Sequence, residues 1–315
     1  MNIDFINKFK SKKIAVIGDL MLDRFLIGGA SRLSPEAPVP VVCVRDEITV
    51  PGGAANVAVN IATLGGKAVL VGIVGRDPSS GHLLKLLKNK KIDINGVFRL
   101  PKRTTTEKTR IMVGDQQIAR IDRETTENID QNVEQKIFKY IKNNIKKWDG
   151  IVVSDYAKGL ITKQLAKNII SLAEKSNLKV VVDTKPKNLR FFKNAFIVTP
   201  NQKEAFEMAG VSDIKKAARR ISSLLKCNVL ITQGGQGMTL CEGSSFYGIP
   251  AIQREVFDII GAGDTVMATL VLGISSDASL KEASTVSNHS AGIAVSKFGT
   301  AFTTLKELKR DMGII

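Results

Sequence analysis

Short runs of apolar, β-branched residues recur along this chain, and longer amphipathic stretches fill the intervals between them. That alternation limits the folds open to it more than any other feature. The runs fall at residues 14–17, 68–74, 150–154, 179–183, 196–199 and 228–232. Each is nearly all apolar, the pattern of a strand covered on both faces. Helical periodicity occupies residues 54–64, 80–90, 131–146, 162–176, 202–209 and 213–225. A hairpin is read at 239–247, followed by helices at 264–274 and 280–297. Strands that alternate with helices build a mostly parallel sheet, because each crossover must pass over a sheet face. The predicted class is α/β, with helices on both faces of one central sheet.

Two stretches break this rhythm, at about residues 20–50 and 97–123. They carry period-two patches and no helical signal, as in Val39-Pro40-Val41-Val42-Cys43-Val44 and Gln117-Ile118-Ala119-Arg120-Ile121. They read as strands outside the main sheet, forming a small β lid over the strand C-termini, where such sheets bind ligands. With no repeat and no flexible linker, residues 1–315 are expected to form a single domain with these lid strands inserted.

Composition removes several classes of function. Lys and Arg number 46 against 30 Asp and Glu, a formal charge of +16. That surplus suits an anionic partner. The basic residues are dispersed, however, and aromatics make up only 5% of the chain, too few for base-stacking platforms. A solvated basic surface is therefore the expectation, with no nucleic-acid partner. Cys43, Cys227 and Cys241 are odd in number and scattered, which argues against a disulfide framework and for a reducing, cytoplasmic setting. His82 and His289 stand alone, so no zinc pattern can be assembled. No apolar run approaches the ~20 residues of a spanning helix, so no membrane partner is expected. The N-terminal residues lack the pattern of a secretory leader.

Four motifs carry chemistry. The sharpest is Asp258-Ile259-Ile260-Gly261-Ala262-Gly263-Asp264-Thr265, directly before an apolar helical run. Backbone N–H groups of Gly261, Ala262 and Gly263 at a helix start can converge on an anion, aided by the helix dipole. Asp264 then lies beside that anion, placed to take a proton from an attacking hydroxyl. The alternative is a helix cap. Thr232-Gln233-Gly234-Gly235-Gln236-Gly237 closes an apolar strand, so Thr232, Gly234 and Gly237 can admit a nucleotide or merely make a turn. It lacks the Gly-Lys-Ser/Thr of a P-loop. In Pro51-Gly52-Gly53-Ala54-Ala55-Asn56, the glycines permit close approach by a sugar, and a buried Asn56 must find partners in ligand or backbone. Asn201 and Glu204, three apart after Thr199-Pro200, either aim at a Mg²⁺–phosphate unit or form a capping box. Asp19 and Asp23 follow the first strand, where carboxylates can accept from sugar hydroxyls or face solvent.

In this order and spacing, over essentially the whole chain, these motifs resemble the PfkB/ribokinase family of carbohydrate kinases. Four further segments are similar to its D-glycero-β-D-manno-heptose-7-phosphate kinase branch, the kinase half of bifunctional ADP-heptose synthases. They are residues 31–42 (SRLSPEAPVPVV), 51–58 (PGGAANVA), 116–122 (QQIARID) and 154–159 (SDYAKG). The resemblance implies a ribokinase-like fold and ATP-dependent phosphorylation at O1, giving the 1,7-bisphosphate. It implies Asp264 as general base, with Mg²⁺ organised through water by Asn201 and Glu204. Thr232, Gly234, Gly237 and Asn288 would line the nucleotide, and Lys185 keeps the place of the family lysine within Asp183-Thr184-Lys185-Pro186. Asp19, Gly52, Gly53 and Asn56 would hold the sugar. Lys108, Arg110, Arg120 or Lys158 would hold its distal phosphate. A homodimer through the lid and a separate nucleotidyltransferase for the next step are also implied. The alternatives are another sugar or phosphosugar kinase of the family, or a non-catalytic basic protein that binds nucleic acid. Ile259-Ile260 stands where the family usually has hydroxyl residues, which removes a hydroxyl from the anion site.

Overall fold

The structure is a computed structural model that describes residues 3–297 and 302–315. A 3-10 helix at Asp4–Ser11 leads into β1 (Lys13–Gly18), β2 (Leu20–Leu33), β3 (Pro40–Gly53) and α1 (Ala54–Thr63). β4 (Lys67–Val74), α2 (Pro78–Asn89), β5 (Asp93–Arg99), β6 (Thr106–Val113), β7 (Gln116–Arg123) and α3 (Gln131–Asn144) follow. Next come β8 (Gly150–Asp155), α4 (Lys163–Lys175), β9 (Val180–Thr184), β10 (Ile197–Val198), α5 (Gln202–Ala209) and α6 (Ile214–Leu225). The chain continues through β11 (Asn228–Thr232), β12 (Met238–Glu242), β13 (Ser245–Ile249), α7 (Ala262–Ser275), α8 (Leu280–Val295) and α9 (Leu305–Asp311).

The main sheet has nine strands in the order β13-β12-β11-β10-β9-β8-β1-β4-β5. From β5 to β11 neighbouring strands run parallel, and the β12–β13 hairpin closes one edge antiparallel. Alternation along β1 shows how the core divides. Ile14 and Val16 pack into one apolar cluster with α1, α7 and α8, whereas Ala15 and Ile17 pack into the other with α3, α4 and α6. A strand that feeds both clusters has no polar face, which is why these runs are uniformly apolar. Helix α7 is buried from Asp264 through Gly273.

A second sheet has the order β3-β2-β6-β7. Strands β2 and β3 pair antiparallel from Leu20↔Gly53 to Leu33↔Pro40, and β2 also pairs parallel with β6. β2 is buried at its root and exposed at its far end, while β7 is exposed throughout. The boundary expected at residue 97 moves. Asp93–Arg99 is the parallel edge strand of the main sheet, beside β4, and the second-sheet strands of that stretch begin at Thr106. The sequence Asp93-Ile-Asn-Gly-Val-Phe-Arg99 mixes polar and apolar residues because an edge strand is only partly covered.

Candidate active site

The carboxyl ends of the parallel strands converge on one region, and the last residues of these strands, or those just after, are acidic or polar. Asp19 follows β1, Asp155 ends β8, Asp183 lies in β9, Asn201 follows β10 and Thr232 ends β11. This is where an open parallel sheet presents a crevice for ligands. The N-terminus of α7 and the root of the second sheet enclose it.

Asp264 sits in the first turn of α7 with only 4% of its surface exposed. Asn56 Nδ2 donates to its Oδ2 at 2.8 Å, and the Tyr156 hydroxyl donates to its Oδ1 at 3.2 Å. Burial pushes its pKa up to about 7, against the opposing pull of the Asn56 and Tyr156 hydrogen bonds. Asp264 is thus neither solvent-facing nor the helix cap. The cap position belongs to Gly261, in the left-handed region at φ 82°. Asp258 Oδ1 accepts from the Ile260 N–H at 2.9 Å and braces the turn.

The three-amide cradle expected here is reduced. The Ala262 N–H donates to the Ile259 carbonyl at 3.3 Å, a bond that closes the turn before the helix. The free donors of the first turn are those a helix start leaves without intrahelical acceptors, and Gly263 offers open space around its backbone.

A cavity of about 870 Å³ adjoins this turn. Among its walls are Asn201, Thr232, Gly234, Gly237, Ala262, Gly263 and Asn288, all expected from the sequence. Gly237 (φ 88°) is required, since a Cβ there would lie 2.1 Å from the Ile249 carbonyl oxygen. Asn288 Nδ2 donates to the Pro250 carbonyl at 2.8 Å and fixes one wall. Val256 and Ile259 line the mouth and are more than half exposed.

Asn201 and Glu204 form the reciprocal capping box of α5. Glu204 Oε1 also accepts from Lys185 Nζ at 2.6 Å. Neither side chain is therefore aimed freely at a metal. Burial lowers the Lys185 pKa, but Glu204, Asp183 and Asp155 more than offset that and leave it raised. Asp183 is half-buried beside this pair, and burial followed by the Glu204 charge pushes its pKa up to about 7.

On the other side of Asp264, Asp19 is 3% exposed. Its Oδ2 accepts from the N–H groups of Tyr156 and Lys158 at 2.9 and 3.0 Å. Burial raises its pKa to about 6, partly countered by these amides. Gly52 and Gly53 serve this packing. A Cβ on Gly52 would lie 2.3 Å from Asp23 Oδ2, and Gly53 has φ 57°. Asn56 is committed within the protein, since its Oδ1 also accepts from Asn60 Nδ2 at 3.2 Å. Asn60 Oδ1 accepts in turn from the Thr265 hydroxyl at 2.9 Å. The Asn56 side chain thus holds Asp264.

The four cations named for a distal phosphate all have carboxylate partners. Arg110 pairs with Asp23 at 2.7 Å and lies over the Phe25 ring. Lys158 pairs with Glu124 at 2.6 Å. Lys108 and Arg120 share Asp122, and Arg120 is half exposed. The register places Lys108 and Arg110 on one face of β6, with Arg120 opposite Arg110 on β7. Sequence reasoning missed Tyr156, Asn60 and Asp183. The first two belong to a network assembled from α1, α7 and the loop after β8, which no local spacing reveals.

Comparison with known proteins places this geometry. A profile described as "pfkB family carbohydrate kinase" matches residues 11–307. The chain is 39% identical over 306 residues to a "Bifunctional protein HldE" of Aliarcobacter butzleri, covering 95% of this chain and 64% of that protein. It is 40% identical over 314 residues to the protein of the same name from Gluconobacter oxydans, covering 98% and 66%. It thus spans a little under two thirds of the length of these relatives. The fold is shared with phosphofructokinase-2 of Escherichia coli, solved with potassium (TM-score 0.77, 20% identity, 96% and 98% covered). It is shared too with Arabidopsis thaliana ribokinase complexed with ribose and ATP (TM-score 0.76, 17% identity, 96% and 98% covered). A ribokinase-like sheet, a buried carboxylate at a helix start and a match across nearly the whole chain agree: this chain belongs to the pfkB family of carbohydrate kinases.

Proposed function

We propose that the chain transfers the terminal phosphoryl group of ATP to O1 of D-glycero-β-D-manno-heptose 7-phosphate. The product is the 1,7-bisphosphate, a precursor of ADP-heptose. The observation that carries the chemistry is Asp264. A buried carboxylate that gains and loses its proton near neutrality, close to the nucleotide cavity wall, suits a general base at working pH. Phosphoryl transfer otherwise asks for positioning and charge compensation. Asn56 and Tyr156 fix the carboxylate, and the first-turn amides of α7 face the transferring group. Asp19 lies at the sugar side, where it accepts from sugar hydroxyls. Support for the heptose comes from residues 31–42, 51–58, 116–122 and 154–159, which resemble that kinase branch, and from the HldE relatives.

Kinases of this family use ATP and typically a divalent metal. Among the described residues no cluster of three or more acidic, His or Cys side chains could hold a metal alone. Mg²⁺ carried on nucleotide phosphates needs only one or two carboxylates and keeps its waters. Glu204, whose oxygens already accept from Lys185 and from the Asn201 N–H, would reach it only through water, with Asp183 beside it. Bound there, Mg²⁺ would neutralise phosphate charge.

The second sheet would act as a lid that excludes water as a competing acceptor. Its outward Leu33, Val44, Ile118 and Ile121 are 45–68% exposed, which favours a homodimer through this sheet. The new O1 phosphate is the group that a nucleotidyltransferase would take up next.

Coupled assays of ADP release with heptose 7-phosphate, fructose 6-phosphate, ribose and 2-keto-3-deoxygluconate test the substrate. The expected result is a kcat/KM for heptose 7-phosphate well above the others. A preference for any of the other three assigns the chain to a different sugar.

A further inference from the structure

The sequence carries a large positive surplus, and the active site uses little of it. Part of that surplus gathers behind the second sheet. A hollow of about 790 Å³ lies between the start of α2, the β5–β6 connection and the second sheet. A neighbouring hollow of about 500 Å³ shares Arg76 and Asp77 with it. Arg76, Lys102 and Arg123 line the first, and Arg99 lines the second. The side chains of these four make no ion pair or hydrogen bond among the described residues.

The acidic groups nearby are already spent. Asp77 accepts from the N–H groups of Ser80 and Thr105, both at 2.8 Å. Burial raises its pKa, but these bonds and the more distant Arg123 charge more than offset that and leave it lowered. Glu107 accepts from Ser79 and Thr109 and pairs with Arg24. The Arg103 guanidinium is used up on the carbonyls of Thr125, Glu127 and Lys158. Four cations without a paired carboxylate therefore share a concave surface.

This surface is not the sugar side of the lid. Arg24, Glu107 and Thr109 face the hollow, whereas Asp23, Lys108 and Arg110 alternate with them along β2 and β6 and project from the opposite face. We infer that the hollow is a second anion site, which takes a phosphorylated small molecule with at least two negative charges. Arginine forks suit phosphate oxygens. The site joins the root of the second sheet to the main sheet, because Asp77 holds Thr105, the residue before β6. The inference does not depend on which sugar the active site takes.

Isothermal titration of the full chain, with the nucleotide cavity saturated by a non-hydrolysable ATP analogue, tests it. The probes are inorganic pyrophosphate and fructose 1,6-bisphosphate, and the tighter of the two tells an inorganic source from a sugar-phosphate one. Arg76→Ser with Arg123→Ser is expected to weaken binding at least ten-fold and to leave the KM for ATP unchanged. Arg76→Lys with Arg123→Lys should retain most of the affinity. A control, Lys215→Ser with Lys216→Ser, removes the same charge from α6. Three results overturn the assignment. One is a wild type that binds neither probe. Another is a control that loses as much affinity as the test variant. The third is a probe that competes with the phosphosugar while the test variant raises the phosphosugar KM, which would give these cations to the substrate.

Discussion

Asn56→Ala should move the pH profile of the enzyme rather than simply lower it. The Asn56 amide donates to Asp264 Oδ2 at 2.8 Å inside a buried site, and this bond favours the ionised carboxylate. Hydrogen bonds to charged groups contribute about 1.5–3 kcal/mol. One pH unit corresponds to about 1.36 kcal/mol, so losing this bond should raise the Asp264 pKa by about one unit or somewhat more. The wild-type acid limb of kcat/KM is expected near pH 7, since that is where burial leaves the carboxylate. A rise of about one unit would leave roughly a tenth of the base ionised at neutral pH instead of half, a loss of about five-fold. Well above the shifted limb the two proteins should converge. The assay is kcat/KM for the phosphosugar by coupled ADP release, from acid pH up to the range where both profiles are flat. An acid limb that stays in place, with a loss equal at every pH, is incompatible with this role. Asn56 would then act on the substrate and not on the base.

Three further outcomes follow from the geometry. Asp264→Asn should stabilise the protein only at higher pH. The folded carboxylate titrates at about 7 against an ordinary 3.8, so the native state binds more protons between those values and wild-type stability falls as pH rises across that window. The variant lacks this loss, so its Tm gain should be absent near pH 4 and largest above pH 7, with a ceiling of about 4 kcal/mol. A gain independent of pH would contradict the burial of that charge. Lys158→Met should raise the KM for the phosphosugar about ten-fold or more and spare the KM for ATP, as expected on losing a charge-assisted phosphate contact. An unchanged KM would leave Arg110 as the buried candidate. Ile118→Asp with Ile121→Asp, on the exposed β7, should convert a dimer to a monomer in analytical ultracentrifugation, whereas a monomeric wild type would remove the lid-to-lid pairing.

The parallel strands were legible because burial on both faces leaves them uniformly apolar, and the six runs read from the sequence all lie in the main sheet. β5 was not legible, since an edge strand needs no such pattern. α9 was overlooked although Thr304 and Glu307 spell its capping box, because the helix is only seven residues long. The turn before α7 could be read from its glycines, and the cavity gathers six residues expected from their motifs together with Asn288, which the family resemblance implied. The partners of Asp264 could not be read. Tyr156 and Asn56 lie 108 and 208 positions from it, so only the folded chain brings them together. The Asn201–Glu204 spacing fits two readings, and the structure fills it with a capping box and a Lys185 pair. The four candidate cations illustrate a further gap. A sequence gives their charge, but not that each already has a carboxylate partner in Asp23, Asp122 or Glu124.

Turnover of Asp264→Asn with heptose 7-phosphate and ATP decides whether this carboxylate is the base. A fall in kcat of about 10²–10⁴, the usual contribution of a general base, is expected, with the KM for ATP near that of the wild type. Retention of most of the turnover would rule Asp264 out, since the proton would then leave the sugar by another route.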